Sequence, residues 1–325
     1  MRESIFYSSL RAFCIVLFGM LGLCISLALI AALLGILSET TNEPDRHYSQ
    51  EVVANAEGSR KILSKDSPVV LKLNISGVIG VPELNSTSIQ RQLIESREGD
   101  LKKNRVKALL LHINSPGGTV VDSAAIYHAI KQYKNTYNIP VYAYIDGMCA
   151  SGGMYIACAA DQIFASEESL IGSVGVLSPN FFNFHQVMEK YGINALTLTA
   201  GKGKDELNPF RVWKEGEGEN VRELINFYYH QFIDIVTKNR PKIDKNKLID
   251  DYGAQVFNAP KAEKYGYINV AGISYKDTLK KLLHQIGIED DYYQVVELKN
   301  KNWYSTLFSS QFDFSNQFLY LYNPN

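Results

Sequence analysis

Net charge is close to absent from this 325-residue sequence, since 33 Lys and Arg stand against 34 Asp and Glu and leave −1. A chain without basic excess has no electrostatic footprint for nucleic acid. Cysteine is also sparse, with Cys14 and Cys24 near the N-terminus and Cys149 and Cys158 farther on. No C-x-x-C and no H-E-x-x-H occurs, so zinc lacks a ligand set and no metal is expected. Cys149 and Cys158 read as small apolar core residues with free thiols. Histidine is scarce too: His47 lies in the polar stretch after the apolar run and His284 near the end of a predicted helix, His112, His128, His185 and His230 have no accompanying Gly or Asp pattern, and each reads as structural. That removes the usual base for a hydroxyl nucleophile. Internal repeats are missing, and Gly201-Lys202 is followed by Gly203 rather than Ser or Thr, which excludes a P-loop.

What is present begins with residues 12–37, a run without a charged side chain. It exceeds the roughly 20 residues that cross a bilayer as a helix and the about 7–15 of a signal-peptide apolar core, so it reads as a membrane anchor rather than a cleaved leader. Arg2 and Arg11 precede it, whereas Glu39, Glu43, Asp45 and a lone Arg46 follow. The positive-inside rule then puts residues 1–11 in the cytoplasm and the remainder outside, in the cell (inner) membrane topology of a single-pass protein. Residues 38–67 are polar, without hydrophobic period, and read as a linker. The folded domain is expected over residues 68–300. Residues 301–325 form an aromatic tail (Trp303, Tyr304, Phe308, Phe312, Phe314, Phe318, Tyr320, Tyr322) with no steady period and no assigned role.

Within the domain, residues 69–75, 108–113, 141–145 and 162–165 are short apolar runs that predict strands, with a helix over 122–134 between the second and third. Strands alternating with helices imply an α/β fold. A long amphipathic helix is predicted over 221–239, its Tyr228 and Phe232 read as core, and shorter helices over 260–265 and 275–285, closed by Gly266 and Gly287.

Three segments carry candidate chemistry. Ser151 stands between the strand ending near Ile145 and a compact helix from Met154, with Gly147, Gly152 and Gly153 at the turn. A hydroxyl there suits a nucleophile, because unpaired N–H groups at a helix start favour developing negative charge; a Ser before Gly-Gly is equally a helix cap. Asn114-Ser115-Pro116-Gly117-Gly118 follows a strand directly, and its tandem glycines suit an oxyanion turn or an ordinary Pro-Gly turn. Lysine is the alternative base to histidine, and a Gly-punctuated loop supplies Lys202 and Lys204, which also read as a solvated basic loop.

In this order the segments resemble the signal peptide peptidase A family in its short, single-domain form: membrane-anchored Ser/Lys peptidases of the Clp and crotonase superfold. The resemblance covers about residues 69–280 and rests on Asn114-Ser-Pro-Gly-Gly118, Ala150-Ser-Gly-Gly153, Tyr155-Ile-Ala157, Ala160-Asp161, Gly172-Ser-Val-Gly175, Gly201-Lys-Gly-Lys-Asp205 and Pro209-Phe-Arg211. Cys149 and Met154 depart from the family's usual Ala and Tyr, and the segments around Lys202 and over 179–184 match poorly. The resemblance implies stacked β-sheets with flanking helices, Ser151 as nucleophile, Lys204 as general base, Ser173 orienting that lysine, and oxyanion donors at Gly152 and at Gly117 or Gly118. It implies no cofactor. It further implies a homo-oligomer with active sites at subunit boundaries, contact with lipid through the anchor, and peptide substrates: remnant signal peptides and other short hydrophobic peptides. Lys204 has to be neutral to accept a proton, which requires apolar walls and an Asp205 that points elsewhere. Two other readings remain: a Ser/Lys protease for membrane-protein quality control, and an inactive oligomeric scaffold.

Overall fold

A computed structural model describes residues 5–38 and 47–300. The chain divides into a unit ending at Arg46 and another beginning at His47. The first is one helix, α1 (Ile5–Ser38). Its segment Leu10–Ile30 has 21 residues, none buried, and is among the described residues the one helix long and apolar enough to cross a membrane. At 1.5 Å per residue it spans about 30 Å, the thickness of a hydrocarbon core. Arg2 and residues 39–46, on which the orientation expectation partly rests, lie outside the described residues, as does the tail 301–325.

The second unit runs β1 (Tyr48–Val53), β2 (Val69–Ile79), α2 (Ser86–Glu95), β3 (Val106–Gly118), α3 (Val120–Tyr137), β4 (Val141–Ala150), α4 (Gly152–Ala157), β5 (Gln162–Ala165), β6 (Leu170–Gly172), α5 (His185–Lys190), α6 (Glu219–Asn239), α7 (Lys245–Lys247), β7 (Val256–Asn258), α8 (Ala259–Tyr265), α9 (Tyr275–Gln285) and β8 (Gln294–Asn300). The sheet order is β1-β8-β2-β3-β4-β6-β7, with β5 also on β4. β8, β2, β3 and β4 are parallel, and antiparallel strands close both ends: β1 on β8 and β7 on β6.

The central strands are continuous apolar runs because helices cover both faces. On one face Leu71, Leu73, Leu109, Leu111, Val141 and Ala143 pack with Ile126 and Ile130 of α3 and with α4. On the other, Val70, Ala108, Leu110, Tyr142 and Phe164 pack against Leu279, Leu282 and Leu283 of α9. Thr119 starts α3 by accepting a hydrogen bond from the Asp122 N–H, and Asn138 stops it in the left-handed region.

β4 positions the site by forking. Its first half pairs with β5, Tyr142 to Ile145 against Gln162 to Ala165, and its end pairs with β6, Met148 to Ala150 against Leu170 to Gly172. Gly147 lies between, at φ +110, where the Asn114 side chain leaves no room for a Cβ and accepts from the Met148 N–H at 3.0 Å. The chain thus leaves β4 at Ala150 beside Gly172, with Ser151 next.

Strands β2, β3 and β4 run past their expected ends: Val78 and Ile79 stay paired with Gly117 and Gly118, and Met148 to Ala150 of β4 pair with β6. β1 lies inside the stretch read as linker: Tyr48 pairs with Asn300, a partner no local pattern reveals.

Candidate active site

Ser151 has φ 51° and ψ −120°, a conformation that L-residues avoid at a cost of about 1–3 kcal/mol. Two hydrogen bonds hold it there: its N–H donates to Gly172 O at 3.0 Å, and its carbonyl accepts from the Tyr155 N–H at 3.0 Å. It occupies the cap position of α4, yet its side chain makes no capping hydrogen bond. The hydroxyl is therefore not serving as a helix cap. With only six residues, α4 has a small macrodipole, so an anion at Ser151 depends on individual N–H groups.

Glycines let three segments meet at this serine. A Cβ on Gly117, at φ +104, would lie 2.7 Å from Ser151 Cβ and 2.8 Å from Gly152 N. One on Gly152 would run into Ser123 Oγ, and one on Gly118 into the carbonyl of Ile79. The Gly117 N–H is committed to Ser115 Oγ at 3.1 Å, whereas Gly118 lines the cavity in front of Ser151. Ser173 also has positive φ, 53°; its N–H donates to Gln255 O at 2.7 Å and its carbonyl accepts from the Gly175 N–H.

Ser151, Ser173 and Gly118 share a cavity of about 610 Å³, otherwise walled mainly by Val174, Val176, Leu177, Ile225 and Tyr229. Ser151, Gly118 and Gly152 also open onto a smaller depression beside it, reached by Tyr155, Tyr228 and Phe232. These walls suit an apolar polypeptide lying against the hydroxyl.

Lys204 is not part of this assembly. It lies exposed in the loop between α5 and α6 and lines neither cavity; Lys202 is exposed as well. Asp205 does point elsewhere, as the sequence required: it accepts from Asn208 Nδ2 at 2.6 Å and from Arg211 Nε, and these bonds hold its carboxyl below the usual range. Arg211 in turn donates to Glu217 at 2.6 Å. None of the six histidines lines either cavity. Cys149 and Cys158 are free and fully buried, and burial pushes the Cys158 thiol up to about 12, which fits small apolar core residues. Among the described residues no cluster of His, Cys, Asp and Glu could hold a metal.

Sequence reasoning missed Ser123, Val120 and Gln255, which carry no motif. It assigned Tyr228 and Phe232 to the core; Phe232 is buried, but both also wall the depression beside Ser151. Their spacing on α6, together with Ile225 and Tyr229 on the neighbouring stripe, was the available signal.

The chain is similar to known proteins over much of its length. The profile of peptidase family S49 matches residues 133–285, a span that contains Ser151, Ser173 and Lys204, and that of Clp protease matches residues 85–171. The "Putative signal peptide peptidase SppA" of Enterococcus faecium is 31% identical over 236 residues, covering 71% of this chain and 67% of that protein. The "Serine protease SPPA, chloroplastic" of Arabidopsis thaliana is 30% identical over 199 residues, 61% of this chain and 28% of the longer plant protein. Among solved structures, a ClpP1 mutant from Listeria monocytogenes aligns over 66% of this chain and 96% of its own, at 19% identity and a TM-score of 0.43. The chain belongs to peptidase family S49, the serine peptidases that include signal peptide peptidase A.

Proposed function

We propose that this protein is a membrane-anchored serine endopeptidase that uses a Ser151/Lys204 dyad to degrade remnant signal peptides and other short hydrophobic peptides. The observation that carries the reading is Ser151 itself: a strained serine, uncommitted as a cap, at the junction of two apolar cavities and flanked by Gly118 and Gly152.

The steps follow from these positions. Lys204, neutral, takes the Ser151 proton as Oγ attacks the substrate carbonyl, forming an O–C bond and a tetrahedral oxyanion. The N–H groups of Gly152 and Gly118 receive that oxyanion; Gly118 is preferred over Gly117 because the Gly117 N–H already serves Ser115. The C–N bond then breaks, the lysine proton leaves with the amine, and water activated by Lys204 hydrolyses the acyl ester and restores Ser151. Ser173, which shares the cavity with Ser151, orients the amine without adding charge.

The family resemblance implies a serine and lysine that meet across a subunit boundary, and Lys204, which lines neither Ser151 cavity of its own chain, suits a base supplied by a neighbouring copy. The region between Leu177 and Val212 supports such an assembly: Leu177 is 87% exposed, Leu196 and Leu198 are 85%, and Phe181, Phe182, Phe184 and Phe210 of the same stretch are exposed too. Apolar surface on this scale marks a contact. An assembly of this kind leaves a lone chain inactive. α1 anchors the peptidase as a single-pass protein of the cell (inner) membrane, N-terminus cytoplasmic and peptidase domain outside, where cleaved leaders accumulate.

The test is cleavage of a quenched fluorescent signal peptide by the full chain in detergent, with Ser151→Ala and Lys204→Ala alongside. Loss of cleavage in both, with folding and particle size unchanged, supports the dyad; cleavage surviving either change sinks it.

A further inference from the structure

The depression beside the 610 Å³ cavity is small, about 20 Å³. One water-sized sphere needs roughly 10–15 Å³ by this kind of measure, so the space holds a methyl or hydroxymethyl group and not an isobutyl or benzyl group. Its location gives the volume meaning. Gly118 and Gly152 border it together with Ser151. When a peptide carbonyl sits over Ser151 with its oxygen toward those two N–H groups, the side chain of the residue supplying that carbonyl is directed into this space.

Its floor is set rigidly. Ser123 Oγ, directly behind Gly152, is fixed by donating to Thr119 O at 2.7 Å in the first turn of α3. Tyr155 stands edge-on to Tyr127, with ring centroids 5.5 Å apart at 88°, and leans on Phe232 at 5.1 Å. Phe232 is 4% exposed and Tyr155 8%, so neither can swing aside without opening the core. The rim, which includes Val120, Val176 and Tyr228, is half-buried.

We propose that this depression, floored by Ser123, Tyr155 and Phe232, admits only alanine-sized side chains and directs cleavage to bonds that follow Ala, Ser or Gly. The inference rests on Ser151 being the nucleophile. Selection is then divided in two: the large apolar cavity takes the hydrophobic stretch of a substrate without regard to register, and the small one chooses the bond. The substrate class is an apolar peptide interrupted by small residues, and uninterrupted Leu or Phe runs are spared.

The experiment uses the full chain in detergent and quenched peptides that differ only in the residue before the scissile bond: Ala, Ser, Val, Leu or Phe, with Ser151→Ala as control. Cleavage that depends on Ser151 and favours Ala over Leu and Phe by at least about tenfold in kcat/KM is expected, the scale on which a pocket rejects added methylenes. Ser151-dependent cleavage with no such preference overturns the inference and leaves the serine reading standing; cleavage that persists in Ser151→Ala overturns both. Tyr228→Ala and Val120→Ala widen the rim, and each is expected to raise the Leu-to-Ala ratio several-fold. An unchanged ratio in both variants, at measurable turnover, also overturns it.

Discussion

The backbone N–H of Ser151 donates to the carbonyl of Gly172 at 3.0 Å, and through that bond the end of β4 is fastened to the residue just before Ser173. Two serines with positive φ are thereby presented to one cavity, each held by backbone bonds rather than by its own side chain. The strain is local and is offset by the pairing of β4 with β6 and of β6 with β7.

Gly172 is the weak point of that arrangement. It sits at φ +130, and an added Cβ would lie 2.5 Å from Gln255 O. Gly172→Ala is expected to cost about 1–3 kcal/mol in denaturant unfolding and to lower kcat more than it raises KM, because Ser151 loses its anchor. Unchanged stability together with unchanged kcat would show that the bond does not position Ser151.

The proposed contribution of Lys204 by a neighbour predicts complementation. Ser151→Ala and Lys204→Ala chains are each expected to be inactive alone, and co-assembled from equal amounts they are expected to recover roughly a quarter of wild-type turnover, as random mixing pairs an intact serine with an intact neighbouring lysine. Turnover that stays at the level of the separate variants contradicts a shared site.

Leu196 and Leu198, each 85% exposed, are expected to be buried between copies. Replacing both with Asp is expected to leave the far-ultraviolet circular dichroism intact while lowering the mass by light scattering to that of smaller particles, with activity lost in step. An unchanged particle mass would place the contact elsewhere.

A stability prediction concerns the opposite face of the sheet. Burial, reinforced by Lys72, holds His112 below its ordinary value of 6.5 against the smaller opposing pull of Asp146 and Glu297, while Tyr144 and Tyr275 enclose the ring. A histidine with a depressed folded pKa holds its proton less tightly than in the unfolded chain, so the unfolded chain takes up the proton first as pH falls. Its contribution is complete above about pH 6.5 and is lost as pH falls from there through the folded value. Urea midpoints at about pH 7.5 and about pH 5.5 are expected to separate in the wild type and to converge in His112→Gln; an equal separation in both assigns the acid sensitivity to other groups.

The sequence revealed those parts of the molecule whose cause is local. Strands β3, β4 and β5 were legible because both of their faces are buried, which writes an unbroken apolar run such as Leu109-Leu110-Leu111. Gly266 and the stripe of α6 marked a helix end and a helix face by the same local chemistry. β1 and β8 were not legible: Tyr-Ser-Gln-Glu-Val-Val and Gln-Val-Val-Glu-Leu-Lys-Asn are half-polar strands that become a ladder only when the two ends of the domain meet. α2 escaped because its capping box uses Asn85 and Ser88, without the Glu or Gln that announces one. In the site, Gly117, Gly118, Ser151 and Gly152 stood out because close approach demands glycine. Lys204 stood out only through resemblance, since it lies exposed in the loop between α5 and α6 and lines neither Ser151 cavity.

The most direct measurement is covalent labelling of the full-length protein by a fluorophosphonate, followed by mass spectrometry of the modified peptide. The account predicts one adduct, on Ser151, formed rapidly in the wild type and at least about a hundredfold more slowly in Lys204→Ala, the scale of a lost general base. An adduct on another residue, or labelling of Ser151 at an undiminished rate without Lys204, would contradict it.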